Sequence, residues 1–452
     1  MAVYSIIKKS QLEGALRLDA EYYQPEYSKI DKDISKFGKF YFFGNLIEKF
    51  NSGKNWPQKK EGSIKFIRTQ HVRDILIRDE EDLTFCDNQP PKEYLLNEGD
   101  LLFVRVGSVS DNSVASKDYE GHFYSDNVLR IRIKNLNPFF ISVFLNSYYG
   151  KSQLEKVMKG VAQPLISREN FEKLKIPKPP IEFQKEIENR VLESYNLRNK
   201  SLALYSQAEK LLLEELGLKN FKPEEELSFI VNLSEVKSAY RADAEYFQPK
   251  YEKLISKIEI QNAKLLGDLV SMKKGIEPGS KKYQEEGKLF IRVSNFSKQG
   301  LVEKDQKYLS EEIYQKLKKD FEPEIGEILL TKDAKPGIAY VIKEPIEGII
   351  SSGILRLKLK EKNIENEYLA LCLNSIIGRM QAERDGGGSI IIHWKLEQIK
   401  NVLIPILPKP TQQKIADLVQ KSYEAHKQAK QLLEKAKQKV EKFIKIGTKG
   451  IC

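Results

Sequence analysis

Three short stretches of this 452-residue chain carry residue types that catalysis uses. Asn88-Gln89-Pro90-Pro91 approaches the Asn/Asp-Pro-Pro-aromatic tetrad of an amino-methylating site, but Gln89 splits it and no aromatic follows directly. Gly386-Gly387-Gly388 resembles a phosphate cradle, yet lacks the Lys-Ser/Thr that completes one and reads as a mobile loop. Glu286-Gly287-Lys288 matches a nuclease-like Glu-x-Lys tripeptide, which is common by chance in a chain that is 31% charged. His71, His122, His393 and His426 are dispersed, and Cys86, Cys372 and Cys452 have no ligand spacing, so no metal site is expected. The side chains point to binding without chemistry.

What they would bind follows from charge. Lys plus Arg number 75 against 64 Asp plus Glu, a net charge of +11 that favours a polyanion: DNA, RNA or an acidic membrane surface. Base edges are read by Arg, Lys, Asn, Gln, Ser and Thr placed in loops beside strands, while other contacts hold phosphates. The candidates in the first half are Lys54 and Asn55 in a polar turn; Arg68, Thr69, Gln70, His71 and Arg73 leaving a strand; and Arg105 and Ser108 ending another. In the second half they are Lys273 and Lys274; Arg292, Ser294 and Asn295; and Lys332 and Lys335. Arginine suits guanine, and Gln70 and Asn295 suit adenine. Arg68 and Arg292 recur at the same place, which argues for a shared structural or phosphate role.

That recurrence belongs to a larger one. Arg17 to Ile30 reads RLDAEYYQPEYSKI and Arg241 to Leu254 reads RADAEYFQPKYEKL, identical at nine of fourteen positions. Phe66-Ile67-Arg68 returns as Phe290-Ile291-Arg292, Leu129-Arg130 as Leu355-Arg356, and Leu145-Asn146-Ser147 as Leu373-Asn374-Ser375. Ile176-Pro177 with Gln184 returns as Ile404-Pro405 with Gln412. A repeat this long is a duplicated domain and not a solenoid unit, whose period is ~20–50 residues. Short β runs at 65–68, 101–106 and 128–133, then 289–293, 327–330, 338–342 and 354–359, alternate with turn residues. A helix is expected over 138–158 and its partner over 366–384. The globular parts are mixed α and β, in the α+β class. The repeated Arg-x-Asp-Ala-Glu-Tyr opening reads as a structural joint where each globular part meets a helix.

Proline closes each globular part, and a long helix follows. Ile415, Leu418, Ser422, Ala425, Ala429, Leu432, Ala436, Lys439, Phe443 and Ile446 make a heptad seam. Ile187, Arg190, Ser194, Leu197, Ser201, Leu204, Ala208, Leu211, Glu215 and Leu218 repeat it. Small residues in mid-seam let two backbones approach closely. A pseudo-twofold duplication would set the two helices antiparallel, as a coiled-coil spacer of ~50 Å with a globular head at each end. The expected division is 1–180 head, 181–220 helix, 221–408 head and 409–452 helix.

This order of globular domain, Pro-rich junction and long helix, stated twice, resembles the specificity subunit of a Type I restriction-modification enzyme. The motifs that carry it are the Arg-x-Asp-Ala-Glu-Tyr-x-Gln-Pro-x-Tyr opening, Phe-Ile-Arg, Gly-Asp-Leu-Leu or Gly-Glu-Ile-Leu-Leu, and Ile-Pro-x-x-Pro-x-x-x-Gln-x-x-Ile. The resemblance covers nearly the whole chain. It implies two target recognition domains, each reading half of a split site in double-stranded DNA. It also implies two methyltransferase subunits that use S-adenosylmethionine and, for cleavage, restriction subunits that use ATP and Mg, with no cofactor on this chain. Ser125-Asp126-Asn127 and Ser351-Ser352-Gly353 differ between the copies, so the recognised bases are left open. Two other readings compete: a stand-alone DNA methyltransferase or nuclease with unrecognised motifs, and a coiled-coil scaffold protein. The opening MAVYSIIKKSQLEG has no leader pattern and no apolar run approaches ~18 residues, so a cytoplasmic protein that meets no membrane is expected.

Overall fold

The computed structural model describes residues 5–10, 12, 18–78, 83–105, 111–158, 168–302, 305–386 and 393–447. It divides into two compact units, one of residues 1–199 with 427–452, the other of 200–426. The opening Arg17, the Gly387-Gly388 pair, Cys452 and Ser108 lie outside the described residues.

In the first unit a five-stranded sheet runs in the order Ile47–Ser52, Val128–Ile133, Leu101–Val104, Asn112–Val114, Ile75–Leu76. Beside it lies a four-stranded sheet, Gln58–Lys59, Thr84–Cys86, Lys65–Ile67, Phe123–Tyr124, whose last pair is parallel with Phe66 opposite Phe123. The second unit repeats the plan: Val270–Lys274, Ile354–Leu359, Ile328–Thr331, Ala339–Val341 form one sheet. Lys307–Leu309, Lys288–Ile291 and Gly348–Ile350 form the other, with Phe290 parallel to Ile349. The central strands Leu101–Val104 and Ile328–Thr331 are buried at every position, as the apolar runs 101–104 and 328–330 require. The second unit adds a helix, Glu311–Phe321, where the first has a short 3₁₀ turn, Lys92–Tyr94.

The Gly-Asp and Gly-Glu motifs now have a physical reading. Gly99 and Gly326 sit at φ 82° and 86°, where a side chain is strained, and turn the chain into the central strand. The next residue is a buried carboxylate, Asp100 or Glu327, which accepts a backbone N–H of its own turn at 2.8 Å in each copy. Each then holds an arginine through two hydrogen bonds of 2.7 and 2.8 Å, Arg132 in one unit and Arg356 in the other. Taking a carboxylate out of water is tolerated because all its strong partners are supplied.

The single helix expected over 138–158 is two, Pro138–Asn146 and Tyr148–Met158, and 366–384 likewise divides into Asn366–Asn374 and Ile376–Asp385. Ser147 and Ser375 are extended at the break, and their hydroxyls donate to Phe144 O and Cys372 O at 2.6 and 2.8 Å. Gly150 and Gly378 permit the sharp corner: a Cβ there would lie 2.2 Å from Phe144 O or Leu373 O. Asn146 and Asn374 tie the corner to the sheet by donating to Asn112 O and Ala339 O.

The long helices span Ile181–Glu215 and Lys409–Ile446. Gln184 starts the first by donating to Pro179 O (2.9 Å) and accepting Asn137 N–H (3.0 Å); Gln412 does the same with Leu407 O (2.8 Å) and Glu365 N–H (3.1 Å). Both glutamines are buried, so the recurrent Ile-Pro…Gln motif is a clamp between helix start and globular core. Within the first unit the helices pair antiparallel: Phe183 stacks on Phe443 at 4.1 Å and Ser194 donates to Ala429 O at 2.9 Å. Within the second, Ser422 donates to Ser201 O at 2.7 Å. Serine and alanine at these points give the close backbone approach.

The seam differs from expectation in one half of its positions. Ile187, Ser194, Ser201 and Ala208 are buried as expected, but the intervening places belong to Val191, Arg198, Tyr205 and Leu212 instead of Arg190, Leu197, Leu204 and Leu211. On the second helix Leu433 and Val440 replace Leu432 and Lys439. The seam also serves the globular parts. Tyr195 OH donates to Val114 O (2.6 Å) and accepts Ile77 N–H (2.9 Å), and Lys437 meets Asp74 at 3.4 Å. No described helix is long and apolar enough to cross a membrane.

The repeated opening motif is a joint, and in the second copy its hydrogen bonds among the described residues reach 225–226 and the helix Ile376–Asp385, where a long helix was expected. Arg241 grips Asp243 with two bonds of 2.8 and 2.5 Å, and donates to Arg384 O and Asp385 O at the end of Ile376–Asp385. A cation is favoured at a helix C-terminus. Gln248 exchanges two 3.1 Å bonds with the backbone of Glu226. Lys250 is buried among Glu225, Glu245 and Glu383; burial opposes its charge, and the hydrogen bonds it donates to Glu225 and Glu383 outweigh that and raise its pKa.

Candidate nucleic-acid interface

The Phe-Ile-Arg strand ends the same way in both units. After Ile67 the chain enters a 3₁₀ turn, Thr69–His71; after Ile291 it enters Val293–Asn295. The Arg68 N–H donates to His71 Nδ1 at 3.1 Å, and the Arg292 N–H donates to Asn295 Oδ1 at 3.4 Å. In return His71 N–H and Asn295 N–H each donate to the arginine carbonyl at 2.9 Å. His71 and Asn295 are both 1% exposed. Their side chains lock the turn and face away from solvent, whereas the sequence placed them among exposed readers. An imidazole Nδ1 and an amide oxygen are interchangeable here because both are compact acceptors.

Arg73 is half-buried. Its guanidinium donates to Thr69 O (3.2 Å) and Val72 O (2.9 Å) and lies 3.8 Å from Asp111, so it braces the turn from inside. Burial raises the Asp111 carboxyl above its usual range, against the pull of Lys151 and Arg73. Arg68 and Arg292 are half-buried, and Arg292 donates to Asp305 O. Gln70 and Ser294 are exposed.

Glycine brings the neighbouring loop alongside. A Cβ on Gly53 would lie 2.1 Å from Tyr124 O, and one on Gly275 would lie 2.2 Å from Ser351 O. Ser125 N–H donates to Ile67 O and Ser351 N–H to Ile291 O, at 2.9 and 2.8 Å. Lys54 is exposed, its ammonium 4.5 Å above the Tyr94 ring, and Asn55 beside it is exposed. Arg105 joins through its N–H to Asn127 O at 2.9 Å. In the first unit, therefore, 51–55, 68–70, 105 and 125–127 meet at one end of the parallel strand pair. Asp126 and Asn127 belong to this cluster, and only their difference from Ser352 and Gly353 hinted at it.

In the second unit Lys274 is exposed, whereas Lys273 is engaged with Asp320 at 2.8 Å. Lys332 N–H donates to Gly353 O and Trp394 N–H to Lys332 O, at 2.9 and 2.8 Å, so 331–335, 351–353 and 393–394 converge on 292–294. Lys332 and His393 both bond Asp333 at 2.8 Å. Burial works to raise the Asp333 carboxyl, but the hydrogen bonds from Lys332 and His393 hold it below its usual range. The Asp333–His393 pair joins positions sixty residues apart, which no local pattern announces. Lys335 lies at the exposed tip.

Two of the stretches that suggested catalysis make structural contacts. Asn88 offers its carbonyl to the Trp56 indole at 3.3 Å, and Lys288 is bound to Glu347 at 2.5 Å. Among the described residues no group of three His, Cys, Asp or Glu is placed to hold a metal. What the two clusters offer is an array of donors and acceptors of the kind that reads base edges and grips phosphates.

The sequence matches the family described as Type I restriction modification DNA specificity domain over residues 39–201 and again over 259–438. It is 23% identical over 399 residues to the Type I restriction enzyme MjaVIII specificity subunit of Methanocaldococcus jannaschii, covering 86% of this chain and 87% of that one. It is 24% identical over 369 residues to the putative MjaX specificity subunit of the same organism, covering 78% and 79%. Among solved structures, the S subunit of a Type-I restriction-modification system from M. genitalium aligns over 90% of this chain and 95% of its own. The TM-score is 0.41 and the identity 14%.

Proposed function

The chain belongs to the Type I restriction-modification DNA specificity family, and from that premise we propose that it is a non-catalytic subunit that selects a two-part site in double-stranded DNA, one part per head. The observation that carries the reading is the duplicated cluster. One scaffold of Phe-Ile-Arg strand, locked turn and glycine-backed loop occurs in each unit, and each presents a different set of exposed polar side chains. A constant frame with variable tips is what two readings of different bases require.

In this proposal two methyltransferase subunits carry S-adenosylmethionine and transfer the methyl group to adenine, and restriction subunits, where present, carry ATP and Mg. This chain binds no cofactor and works in the cytoplasm without a membrane. The long helices act as the spacer that fixes how many base pairs separate the two half-sites. The test is methyl transfer from labelled S-adenosylmethionine to duplex DNA by the chain alone, by the methyltransferase partner alone, and by both. Transfer only by the pair supports the proposal. Transfer by the chain alone supports the competing enzyme reading, and a pair whose DNA affinity ignores salt argues for the scaffold.

A further inference from the structure

The two heads act as an internal comparison, because one turn is built twice with the same hydrogen bonds and different side chains. Its first place, Arg68 or Arg292, is the same residue in both. The second, Thr69 or Val293, is half-buried: Thr69 O holds the Arg73 guanidinium, and Val293 packs against Gly353, where an added Cβ would meet it at 2.8 Å. The fourth, His71 or Asn295, is buried and locks the turn. Later places are engaged internally too. Arg73 binds its own carbonyls, and Ser297 donates to Gly300 O at 3.0 Å. Asp74 meets Lys437, and Lys298 lies 4.8 Å from the Tyr205 ring. The turn closes alike in both, with Arg78 N–H on His71 O at 2.8 Å and Val302 N–H on Asn295 O at 2.9 Å.

Only the third place is exposed in both heads, different in both heads, and free of a structural task. Gln70 makes a single long contact among the described residues, 3.5 Å from its amide nitrogen to His71 Nε2, and the Ser294 hydroxyl makes none. Resting on the DNA-reading proposal above, we infer that this place is a base-reading slot in each half-site, in which Gln70 reads adenine in the half contacted by the first head. Glutamine fits because its carboxamide meets adenine N6 and N7 together, a match no other base gives. Serine donates or accepts through one hydroxyl, so the second head is less selective at the equivalent base. The flanking arginine, constant in both heads, anchors the turn and carries no sequence choice.

The full chain with its methyltransferase partner is incubated with a library of random duplexes, and the methylated sites are sequenced for wild type, Gln70→Ser and Ser294→Gln. The expected result for Gln70→Ser is relaxation of one adenine position in one half-site, by roughly ten-fold or more in preference, with the other half unchanged. Ser294→Gln sharpens one position in the opposite half toward adenine. A competition panel of duplexes, each altered at a single base of the first half-site, gives a second readout that does not depend on turnover. Loss of discrimination at one position supports the slot. Uniform weakening across the panel, or an unchanged motif in well-folded variants, overturns it. A wild-type complex that yields no motif at all overturns the DNA-reading proposal itself.

Discussion

Replacing Gly53 by alanine should disable the first head while sparing the second. The added Cβ would lie 2.1 Å from Tyr124 O and 2.5 Å from Ser125 O, both backbone atoms that cannot rotate aside. A carbon and a carbonyl oxygen prefer ~3.3 Å or more, so the strand end must retreat by about 1.2 Å. That retreat strains the Gly53 N–H to Val128 O bond of 3.1 Å and carries Lys54 and Asn55 away from 125–127. Overpacking of this kind costs about 1–3 kcal/mol. For a unit of this size that lowers the unfolding midpoint by about 2–4 °C per kcal/mol. Calorimetry measures the midpoint, and sequencing of methylated sites made with the methyltransferase partner shows which half-site is lost. Gly275→Ala, with its Cβ 2.2 Å from Ser351 O, should do the converse. An unchanged midpoint and unchanged recognition in Gly53→Ala would refute the reasoning, as would simultaneous loss of both half-sites.

Three further outcomes are expected. Asp74→Ala and Lys437→Ala should be non-additive by about 0.5–3 kcal/mol in a double-mutant cycle, since the pair is largely buried at 3.4 Å. Burial opposes the Lys437 charge, but Asp74 and Glu434 raise its pKa overall. Its contribution is therefore full below the ordinary lysine value of ~10.4 and fades as pH rises through the elevated one, so Lys437→Ala should flatten the alkaline limb of the stability profile. Burial pushes the Cys86 and Cys372 thiols up to about 11 and about 12. In a Cys452→Ser background neither should react with a thiol reagent at pH 8 until the protein unfolds. Gln412→Ala leaves Glu365 N–H and Leu407 O without their partner and should destabilise the second unit by about 1–3 kcal/mol in urea unfolding, with Gln184→Ala matching it in the first.

The duplication, the mixed α and β heads, the heptad helices and the Pro-Gln junctions are legible in the sequence, because each is written in local pattern and each is written twice. The seam phase is not. Leu197, Leu204 and Leu211 suit a coiled coil better than Arg198 and Tyr205 do, but the seam also has to seat the heads, and larger polar residues serve that second contact. The helix breaks at Ser147 and Ser375 were masked by apolar residues on both sides, although the repeated Leu-Asn-Ser-x-x-Gly spacing carried the signal. Polar residues leaving a strand look alike in sequence whether they face solvent or fold back. His71, Asn295 and Arg73 satisfy backbone groups of their own turn, while Gln70 and Ser294 between them stay exposed. Only the hydrogen bonds separate the frame from the tip.

The central claim is that each head reads its own part of one DNA site across a fixed gap. Its most direct measurement is the set of methylated sequences produced by the wild-type complex on random duplex DNA, compared with that of a variant carrying four extra residues after Ser201. The insertion adds ~6 Å of helix. The account predicts a wild-type motif of two short blocks separated by unread bases. In the variant the blocks stay the same and the gap grows by about one or two base pairs, at ~3.4 Å each. A single continuous motif, or an unchanged gap at full activity in the variant, would contradict it.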